Sequence, residues 1–254
     1  MLSEADLRSA LRRIGADAPV RFDEVTGSTQ ATALALAEAG APEWTLVAAG
    51  HQTSGRGRLG RTWLDEPGAL LVSIVLRPPV EPERAGLLTL LAGLGMAETL
   101  GRFGAAVGCK WPNDLLVGEA KVGGVLAESV VRDGRLAHVA LGLGVNLGAA
   151  PGVAGAGPLG GLDPAEVLAD FLEVFASDER VLVGGSVASA LERYRAACVS
   201  LGRRVRVTAV EGEVLEGEAV GVDDDGGLVV HTAEGARSIR SGEVEHVRPS
   251  ALPG

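Results

Sequence analysis

Cysteine, lysine and long apolar runs are all scarce in this sequence of 254 residues. Its two cysteines, Cys109 and Cys198, lie far apart, which excludes a disulfide-rich scaffold and fits a reducing compartment. The longest nearly apolar stretch, residues 87–97, is too short to span a bilayer, and the first residues are acidic rather than apolar. We therefore expect a cytoplasmic protein with neither a membrane span nor an export signal.

An excess of positive charge is also absent. The net charge of −10 argues against a general nucleic-acid binder. Apolar residues make up 46% and charged residues 22% of the chain, which is ordinary for a soluble globular protein and excludes disorder as the main state. The length allows one or two domains.

Three polar residue types are so rare that the positions keeping them stand out. Lysine supplies only two of the 23 basic residues, and asparagine and glutamine occur twice each. These residues occur at their positions either because a chemical function requires them or by chance. Six residues are too few to decide between the two explanations. The positions are Lys110, Lys121, Asn113, Asn146, Gln30 and Gln52.

Hydrophobic periodicity divides the chain into a mixed α/β part and an all-β part. In the first part we predict strands over 20–25, 45–50, 69–76, 105–117, 121–131 and 135–147. We predict helices over 3–14, about 29–40, 83–103, from 163 onwards and around 187–198. We also predict a polar loop over 51–68 and a loop rich in Gly, Ala and Pro over 148–162. Five short strands over 203–210, 213–222, 227–232, 236–240 and 243–247 then predict a small barrel. The expected domains are residues 1–200 and 201–254.

The segment 55–63, with the sequence GRGRLGRTW, is the first candidate site. It formally matches a dinucleotide fingerprint, but a strand rather than a helix follows it, so we reject that interpretation. Three guanidinium groups, those of Arg56, Arg58 and Arg61, remain on a glycine-rich backbone. Such groups bind phosphate and carboxylate bidentately, although a solvated loop has the same composition.

A second candidate runs from Lys110 through Asn113 and Asp114 to Lys121, followed by Gly123 and the rest of a strand. An ammonium group is a compact counter-charge for a phosphate or carboxylate, and Asp or Asn at a strand end can bind a ligand or a magnesium–phosphate group. Glycines within a strand pattern indicate a close approach by another backbone or a ligand. A turn and a surface hairpin are the plain alternatives.

Two shorter segments have polar groups next to predicted strands or helices. Residues 142–147 alternate glycine with apolar residues and end at Asn146, which either starts a turn or lies beside a nucleotide. Residues 27–30 and Gln52 offer hydroxyls and carboxamides that suit a small neutral ligand, although Ser28 and Thr29 can also cap a helix. The four histidines lack metal-ligand spacing. Cys109 fits a buried structural cysteine better than a reactive thiol.

Taken in order, these segments resemble the biotin–protein ligases, also called biotin–[acetyl-CoA-carboxylase] ligases. The likeness rests on the runs GST, HQTSGRGRLGRTW, KWPNDL, KVGGVLAE and GLGVNL, in family order and spacing, and it covers nearly the whole chain. It implies an α/β (α+β) fold, in which a mixed-sheet catalytic domain related to class II aminoacyl-tRNA synthetases precedes a small β-barrel resembling the Src-homology-3 fold.

The resemblance implies an ATP-dependent ligase that acts in two steps. Biotin and Mg-ATP give biotinyl-5′-AMP and pyrophosphate, and the adenylate then acylates one lysine of a biotin carboxyl carrier domain. The residues described above agree, because this reaction needs cations at a carboxylate and an α-phosphate and protection of a mixed anhydride from water. The implied small molecules are biotin, ATP and Mg²⁺, and the implied protein partner is the carrier domain.

Motif matching also implies roles for individual residues. Ser28, Thr29 and Gln52 are expected at the ureido ring of biotin. Arg56 and Arg58 are expected over the carboxylate and adenylate, where Lys121 neutralises developing charge as the main catalytic residue, together with Arg58. Further expected contacts are Gly123, Gly124, Val125 and Leu126 for biotin, and Arg58, Arg61, Trp63, Lys121 and Asn146 for the nucleotide. Asp114 is either structural or linked to magnesium.

The chain departs from the family pattern in two ways. Some members carry an N-terminal winged-helix domain that binds DNA, whereas only a short segment precedes the first predicted catalytic strand here. The net charge of this chain is also negative. We therefore expect no operator binding and no repressor role. Residues 148–162 contain no aromatic side chain, so the way in which adenine is held stays open. The oligomeric state, monomer or weak homodimer, also stays open.

Two alternatives come from other functional classes. A lipoate–protein ligase shares the fold and the adenylate chemistry, but its phosphate loop typically lacks the paired-arginine pattern. A non-catalytic biotin binder, or a DNA-binding repressor, would have no need of Lys121. Binding of biotin against lipoate, and adenylation by a Lys121 variant, separate these possibilities.

Overall fold

The computed structural model describes residues 2–210 and 212–247. Five α-helices lie in these residues: α1 (Glu4–Arg13), α2 (Thr29–Glu38), α3 (Ala85–Arg102), α4 (Pro164–Val183) and α5 (Ala188–Ala197). The strands of the first part are β1 (Val20–Thr26), β2 (Leu46–Gln52), β3 (Gly55–Arg56), β4 (Thr62–Trp63), β5 (Leu70–Leu76), β6 (Gly108–Lys110), β7 (Asp114–Val117), β8 (Ala120–Arg132) and β9 (Arg135–Val145).

A mixed seven-stranded sheet organises this part of the molecule. Its order is β1-β2-β5-β9-β8-β7-β6; β1 and β2 are parallel and all other neighbours are antiparallel. Strand β5, which lies inside the sheet between β2 and β9, is buried along its whole length, as its nearly continuous apolar sequence predicts. Alternate residues point to opposite faces, so one face packs on α1, α3 and α4 and the other on α2.

Helix ends follow their local sequence. Ser3 and Asp6 form a reciprocal cap at the start of α1, and Asp163 caps α4 with Pro164 in its first turn. Ser28 caps α2 by accepting a hydrogen bond from the Ala31 amide at 3.4 Å. The last of these caps matters for function because it fixes the N-terminus of α2 beside the site described below.

Two predicted elements of the first part need correction. The single strand predicted over 105–117 is two antiparallel strands, β6 and β7, which reverse at Pro112; the peptide bond before Pro112 is cis. The loop predicted over 51–68 contains the hairpin of β3 and β4, joined by a 3₁₀ turn over Arg58–Gly60. The second of these matters for function, because the hairpin holds the three arginines above the sheet.

The C-terminal part is a five-stranded antiparallel sheet. Its strands are β10 (Arg204–Ala209), β11 (Val214–Val222), β12 (Leu228–Thr232), β13 (Gly235–Ile239) and β14 (Gly242–His246), in the order β13-β12-β11-β10-β14. These bounds confirm the five predicted strands to within one residue at every end. The hydrogen-bonded order leaves β13 and β14 as its two edges.

The two parts share one apolar core. The indole of Trp111, which is buried, donates a hydrogen bond of 2.9 Å to the Gly226 carbonyl, and Arg195 donates one of 2.7 Å to the Val222 carbonyl. The C-terminal sheet is therefore fixed against the strands that carry the site. Among the helices of the described residues, none is long and apolar enough to cross a membrane.

Candidate active site

A cavity lies on the α2 face of the large sheet, beneath the β3–β4 hairpin. Its lining comes from the N-terminus of α2, from β8 and β9, from the turn around Pro112 and from the start of β14. The cavity therefore collects residues that are far apart in sequence but adjacent in the sheet.

The inner end of the cavity, which we call the floor, consists of four neutral polar side chains: Thr29, Gln30, Gln52 and Ser73. The Gln52 Oε1 atom accepts hydrogen bonds from the Thr29 amide at 2.8 Å and from the Thr29 hydroxyl at 3.1 Å. The Ser73 hydroxyl lies 2.9 Å from Thr29 Oγ1 and 3.2 Å from Gln30 Oε1. Gln30 also donates from Nε2 to the Ala140 carbonyl at 2.9 Å. These contacts fix the orientation of both amides.

Two glycines of β9 make room for this arrangement. A Cβ atom on Gly142 would lie 2.5 Å from Gln30 Oε1, and one on Gly144 would lie 2.5 Å from the Trp63 indole. Real side chains do not approach so closely, so both positions require glycine. The alternation of glycine with apolar residues that the sequence showed is thus explained by a polar side chain and an indole lying against the strand.

Lys121, at the start of β8, lies where the cavity meets a second cleft. Its Nζ atom is 2.5 Å from Asp114 Oδ1 and 5.8 Å from the centroid of the Trp63 ring. Its backbone pairs with the long loop, since its amide donates to the Gly155 carbonyl at 2.6 Å and its carbonyl accepts from the Gly157 amide at 2.9 Å. A carboxylate and an aromatic face thus hold a single ammonium group in place.

The second cleft shares Thr62, Trp63 and Lys121 with the cavity and is otherwise lined by Leu64, Asn146, Pro151 and residues 153–156. Asn146 donates from Nδ2 to the Gly157 carbonyl at 3.2 Å. Its Oδ1 atom, and Nε1 of Trp63, are buried without a hydrogen-bond partner among the described residues. Buried polar atoms without partners are costly, and these two are the ones that belong to residues lining the cleft.

The three arginines of the hairpin contact groups across the mouth of the cavity. Arg56 pairs with Glu128 at 3.3 Å, and Arg61 pairs with Glu243 of β14. Arg58 donates to Asn113 Oδ1 at 3.3 Å and to the Gly242 carbonyl at 3.2 Å, and burial lowers its pKa below the usual range of a guanidinium. The C-terminal sheet thus supplies part of the wall opposite the hairpin.

Most residues predicted for the site meet here. The cavity is lined by Thr29, Gln52, Arg56, Arg58, Arg61, Trp63, Asp114, Lys121, Gly124, Val125 and Leu126, and Asn146 lines the cleft. Two predicted biotin contacts lie outside both linings. The Ser28 hydroxyl is used as the cap of α2, and Gly123 faces the core, where a Cβ atom would lie 3.1 Å from Leu115 and 3.3 Å from Val145. Side chains alternate along a strand, so Gly123 and Gly124 cannot share a face.

Some lining residues were not predicted for the site. Gln30 belonged to the candidate segment 27–30 but was given no role of its own, and Ser73 is the one polar residue in the apolar run of β5, a signal that could have been used. Glu243 and Val244 come from the C-terminal sheet, and no sequence pattern joins them to the hairpin.

Two further predictions concern metal and thiol chemistry. No group of three or more His, Cys, Asp or Glu side chains in residues 2–210 and 212–247 could hold a metal ion, and Asp114 is engaged by Lys121. Cys109 is buried, and burial raises the pKa of its thiol to about 12, which confirms a structural cysteine rather than a reactive one.

Comparison with known proteins agrees with this geometry. Residues 22–146 match the biotin/lipoate A/B protein ligase family, and residues 200–247 match the biotin protein ligase C-terminal domain. The biotin–[acetyl-CoA-carboxylase] ligase of Mycobacterium tuberculosis is 33% identical over 97% of this chain and 96% of that protein. The bifunctional ligase/repressor BirA of Bacillus subtilis is 30% identical over 96% of this chain and 79% of its own length.

A solved structure shows the same likeness. The biotin protein ligase of Aquifex aeolicus, in complex with biotin and ATP, matches with a TM-score of 0.76 and 28% identity, covering 91% of this chain and 99% of that one. The chain belongs to the biotin protein ligase family.

Proposed function

We propose that this protein is an ATP-dependent ligase that activates biotin as biotinyl-5′-AMP and transfers it to a lysine of a biotin carboxyl carrier domain, such as that of acetyl-CoA carboxylase. One observation carries the proposal: a cavity with a neutral hydrogen-bonding floor and a cleft with two unpartnered polar atoms meet at Lys121. A ureido ring at the floor and an adenosine in the cleft would bring a carboxylate and an α-phosphate together beside that ammonium group.

The floor suits the ureido group. Both Thr29 donors point at Gln52 Oε1, so Gln52 Nε2 is directed away from them and can donate to a urea carbonyl. Leu126 and Trp63 give the cavity apolar walls for the valerate chain. We infer that Gly124 and Val125 complete this part of the site, and that Ser28 acts on it by holding the first turn of α2.

Adenylation forms a bond between a biotin carboxylate oxygen and the α-phosphorus of ATP and breaks the bond from that phosphorus to pyrophosphate. Charge on the α-phosphate oxygens grows as this happens. Lys121 and Arg58 would stabilise it, because fixed cations in a closed site need little reorganisation. Asp114 and Trp63 limit where the Lys121 ammonium group can lie. Arg56 adds a further positive charge at the mouth of the cavity, where the biotin carboxylate would lie.

The cleft suits the nucleoside. Asn146 Oδ1 can accept a hydrogen bond and Trp63 Nε1 can donate one, and the indole offers an aromatic surface that residues 148–162 lack. Arg61 would contact the phosphates. Asp114 is a single carboxylate and is already paired with Lys121, so it does not form a metal site by itself. One carboxylate is enough for a Mg²⁺ ion that is bound to ATP and keeps several water ligands. Such an ion would neutralise phosphate oxygens.

In the second step the carrier lysine attacks the acyl carbon of the adenylate, AMP leaves, and the amine loses a proton as the amide forms. We further infer that residues 1–200 form the catalytic domain and residues 201–254 a domain that completes the wall of the site. The net charge of −10 supports a protein that binds no operator DNA. We propose that it acts in the cytoplasm, as a monomer or weak homodimer.

The direct test measures pyrophosphate released from Mg-ATP by the purified protein with biotin, with lipoate and with neither. Release only with biotin, followed by mass gain on a carrier domain but not on its lysine-to-arginine variant, is the expected result. Release with lipoate alone would assign the protein to the lipoate ligases instead. Biotin binding without any release would make it a binder.

A further inference from the structure

Three of the cationic side chains that line the cavity are each paired with a carboxylate. The pairs are Arg56 with Glu128, Arg61 with Glu243 and Lys121 with Asp114. Each pair is formally neutral, although its cation can still donate hydrogen bonds. Arg58 lies in the same hairpin as two of these cations, yet it has no carboxylate partner within salt-bridge distance among residues 2–210 and 212–247. No direct ion pair therefore cancels the positive charge of Arg58.

Three neutral oxygen atoms hold the Arg58 guanidinium instead. Its Nη1 atom donates to Asn113 Oδ1 at 3.3 Å and to the Gly242 carbonyl at 3.2 Å. Its Nη2 atom donates to Ser241 Oγ at 3.3 Å. These acceptors come from the turn before β7 and from the start of β14, so the guanidinium is held from both parts of the molecule. Neutral acceptors orient a cation and leave its charge in place.

Asn113 is the acceptor whose orientation is most firmly fixed. Its Nδ2 atom donates to the Val125 carbonyl at 2.9 Å, and its backbone carbonyl accepts from the Val125 amide at 2.9 Å. Turning the side-chain amide over would place Nδ2 against the guanidinium and Oδ1 against a carbonyl, so only the observed orientation satisfies both contacts. The next residue, Asp114, faces Lys121. Two adjacent side chains, one amide and one carboxylate, thus hold two different cations.

We propose that Asn113 is a positioning residue, which holds the Arg58 guanidinium over the cavity through a neutral acceptor and so leaves its charge available to an anionic ligand. This inference rests on the proposed function, in which Arg58 stabilises the charge that grows on the α-phosphate. A carboxylate in place of the amide would also orient Arg58, but the ligand would then have to compete with it for the guanidinium. A fixed cation that keeps its charge stabilises the transition state with little reorganisation.

A double-mutant cycle separates the positioning of Arg58 from a structural role. Asn113→Ala should slow single-turnover pyrophosphate release about 10-fold. In an Arg58→Ala background the same substitution should slow release by less than about twofold, because the side chain through which it acts is gone. Equal slowing in both backgrounds would overturn the proposal. Biotin-dependent release by the wild-type protein reports separately on the proposed function, and without any release the same cycle is measured on the Kd of Mg-ATP by calorimetry.

Ser241 offers a second test that stands even if the Asn113 variant fails to fold, because this side chain is exposed. Ser241→Asp places a carboxylate within reach of Arg58, whereas Ser241→Asn keeps a neutral acceptor there. Release should be at least about fivefold slower in the Asp variant than in the Asn variant. Ser129→Asp adds the same charge at an exposed position of β8 and should leave the rate unchanged. Equal rates for the two Ser241 variants would overturn the proposal, because Arg58 would then not need neutral partners.

Discussion

The floor of the cavity and the arginine hairpin above it are built in contrasting ways. The floor groups are neutral, and Thr29, Gln30 and Ser73 are almost fully buried on α2 and β5. The hairpin arginines are charged, and two of them rely on ion pairs with side chains that remain partly exposed, Glu128 and Glu243. Buried networks fix geometry, whereas exposed ion pairs are worth little in water. We therefore propose that the buried floor provides ligand recognition, whereas the hairpin is held over the cavity by weak contacts.

The largest expected effect is a loss of adenylation rate with little change in biotin affinity. Lys121→Ala should slow pyrophosphate release about 100- to 1,000-fold, as removal of a transition-state donor does, because we propose that this ammonium group lies where the biotin carboxylate meets the α-phosphate. Biotin affinity should change far less, since the floor is intact. Single-turnover release and calorimetry on one preparation measure both quantities.

A control for this variant is Arg8→Ala, which removes an exposed cation of α1 far from the cavity and should leave both quantities unchanged. Full adenylation by Lys121→Ala would remove this residue from the catalytic machinery.

The next effect concerns the wall between the cavity and the cleft. Gly144→Ala would place a methyl group 2.5 Å from the Trp63 indole and displace it. Overpacking of this kind typically lowers the free energy of unfolding by about 1–3 kcal/mol. A ligand that needs the indole in its original position must overcome a cost of this size when it binds, so biotin and ATP should each bind up to about 150-fold more weakly. The matched control is Gly86→Ala in α3, where nothing lies within 4 Å and helix propensity favours alanine. Unchanged affinity for both ligands in Gly144→Ala would contradict the position of Trp63.

A smaller effect is expected at the hairpin. A double-mutant cycle with Arg61→Ala and Glu243→Ala should give a coupling energy of about 0.2–1 kcal/mol in urea unfolding, since both side chains are partly exposed. High salt should abolish it. A coupling of several kcal/mol that persists in salt would mean that the hairpin is as firmly held as the floor.

The smallest effect depends on pH. His246 of β14 contacts Ser200 and Arg203, and burial together with Lys110 and Arg203 lowers its pKa. The unfolded chain therefore takes up a proton first as pH falls below about 6.5, so His246 should make the protein less stable in acid.

The measurement is the difference in unfolding free energy between wild type and His246→Gln from pH 7.5 to 5.5. Glu179 acts in the opposite direction, because burial raises its pKa to about 7, but its contribution cancels in this difference. A difference that stays constant with pH would show that His246 has an ordinary pKa.

The sequence predicted much of the site because several motifs lie at strand ends or starts. Gln52, Lys121 and Asn146 belong to or follow strands that are near one another in the sheet, so short motifs were enough to bring them together. Gly123 was predicted for the lining because the pattern does not say which of two adjacent glycines faces the ligand. The register shift between β7 and β8 determines which of the two glycines faces the cavity, and this shift is visible only once the strands are paired in the structure.

Other features depended on long-range contacts. The strands of the C-terminal sheet were predicted from turn residues, yet nothing in residues 241–244 indicated that they meet Arg58 and Arg61. The predicted strand over 105–117 failed because β propensity continues through Trp111, while the chain reverses there to bury that indole against Gly226.

We propose that the floor binds its ligand without help from the nucleotide. Calorimetric titration of the wild-type protein with biotin, first alone and then with Mg-ATP, tests this most directly. We expect a full stoichiometric binding heat with biotin alone, and pyrophosphate only when both ligands are present. Biotin binding that is detectable only after Mg-ATP has been added would contradict it, because the site would then be assembled by the nucleotide and not by the sheet.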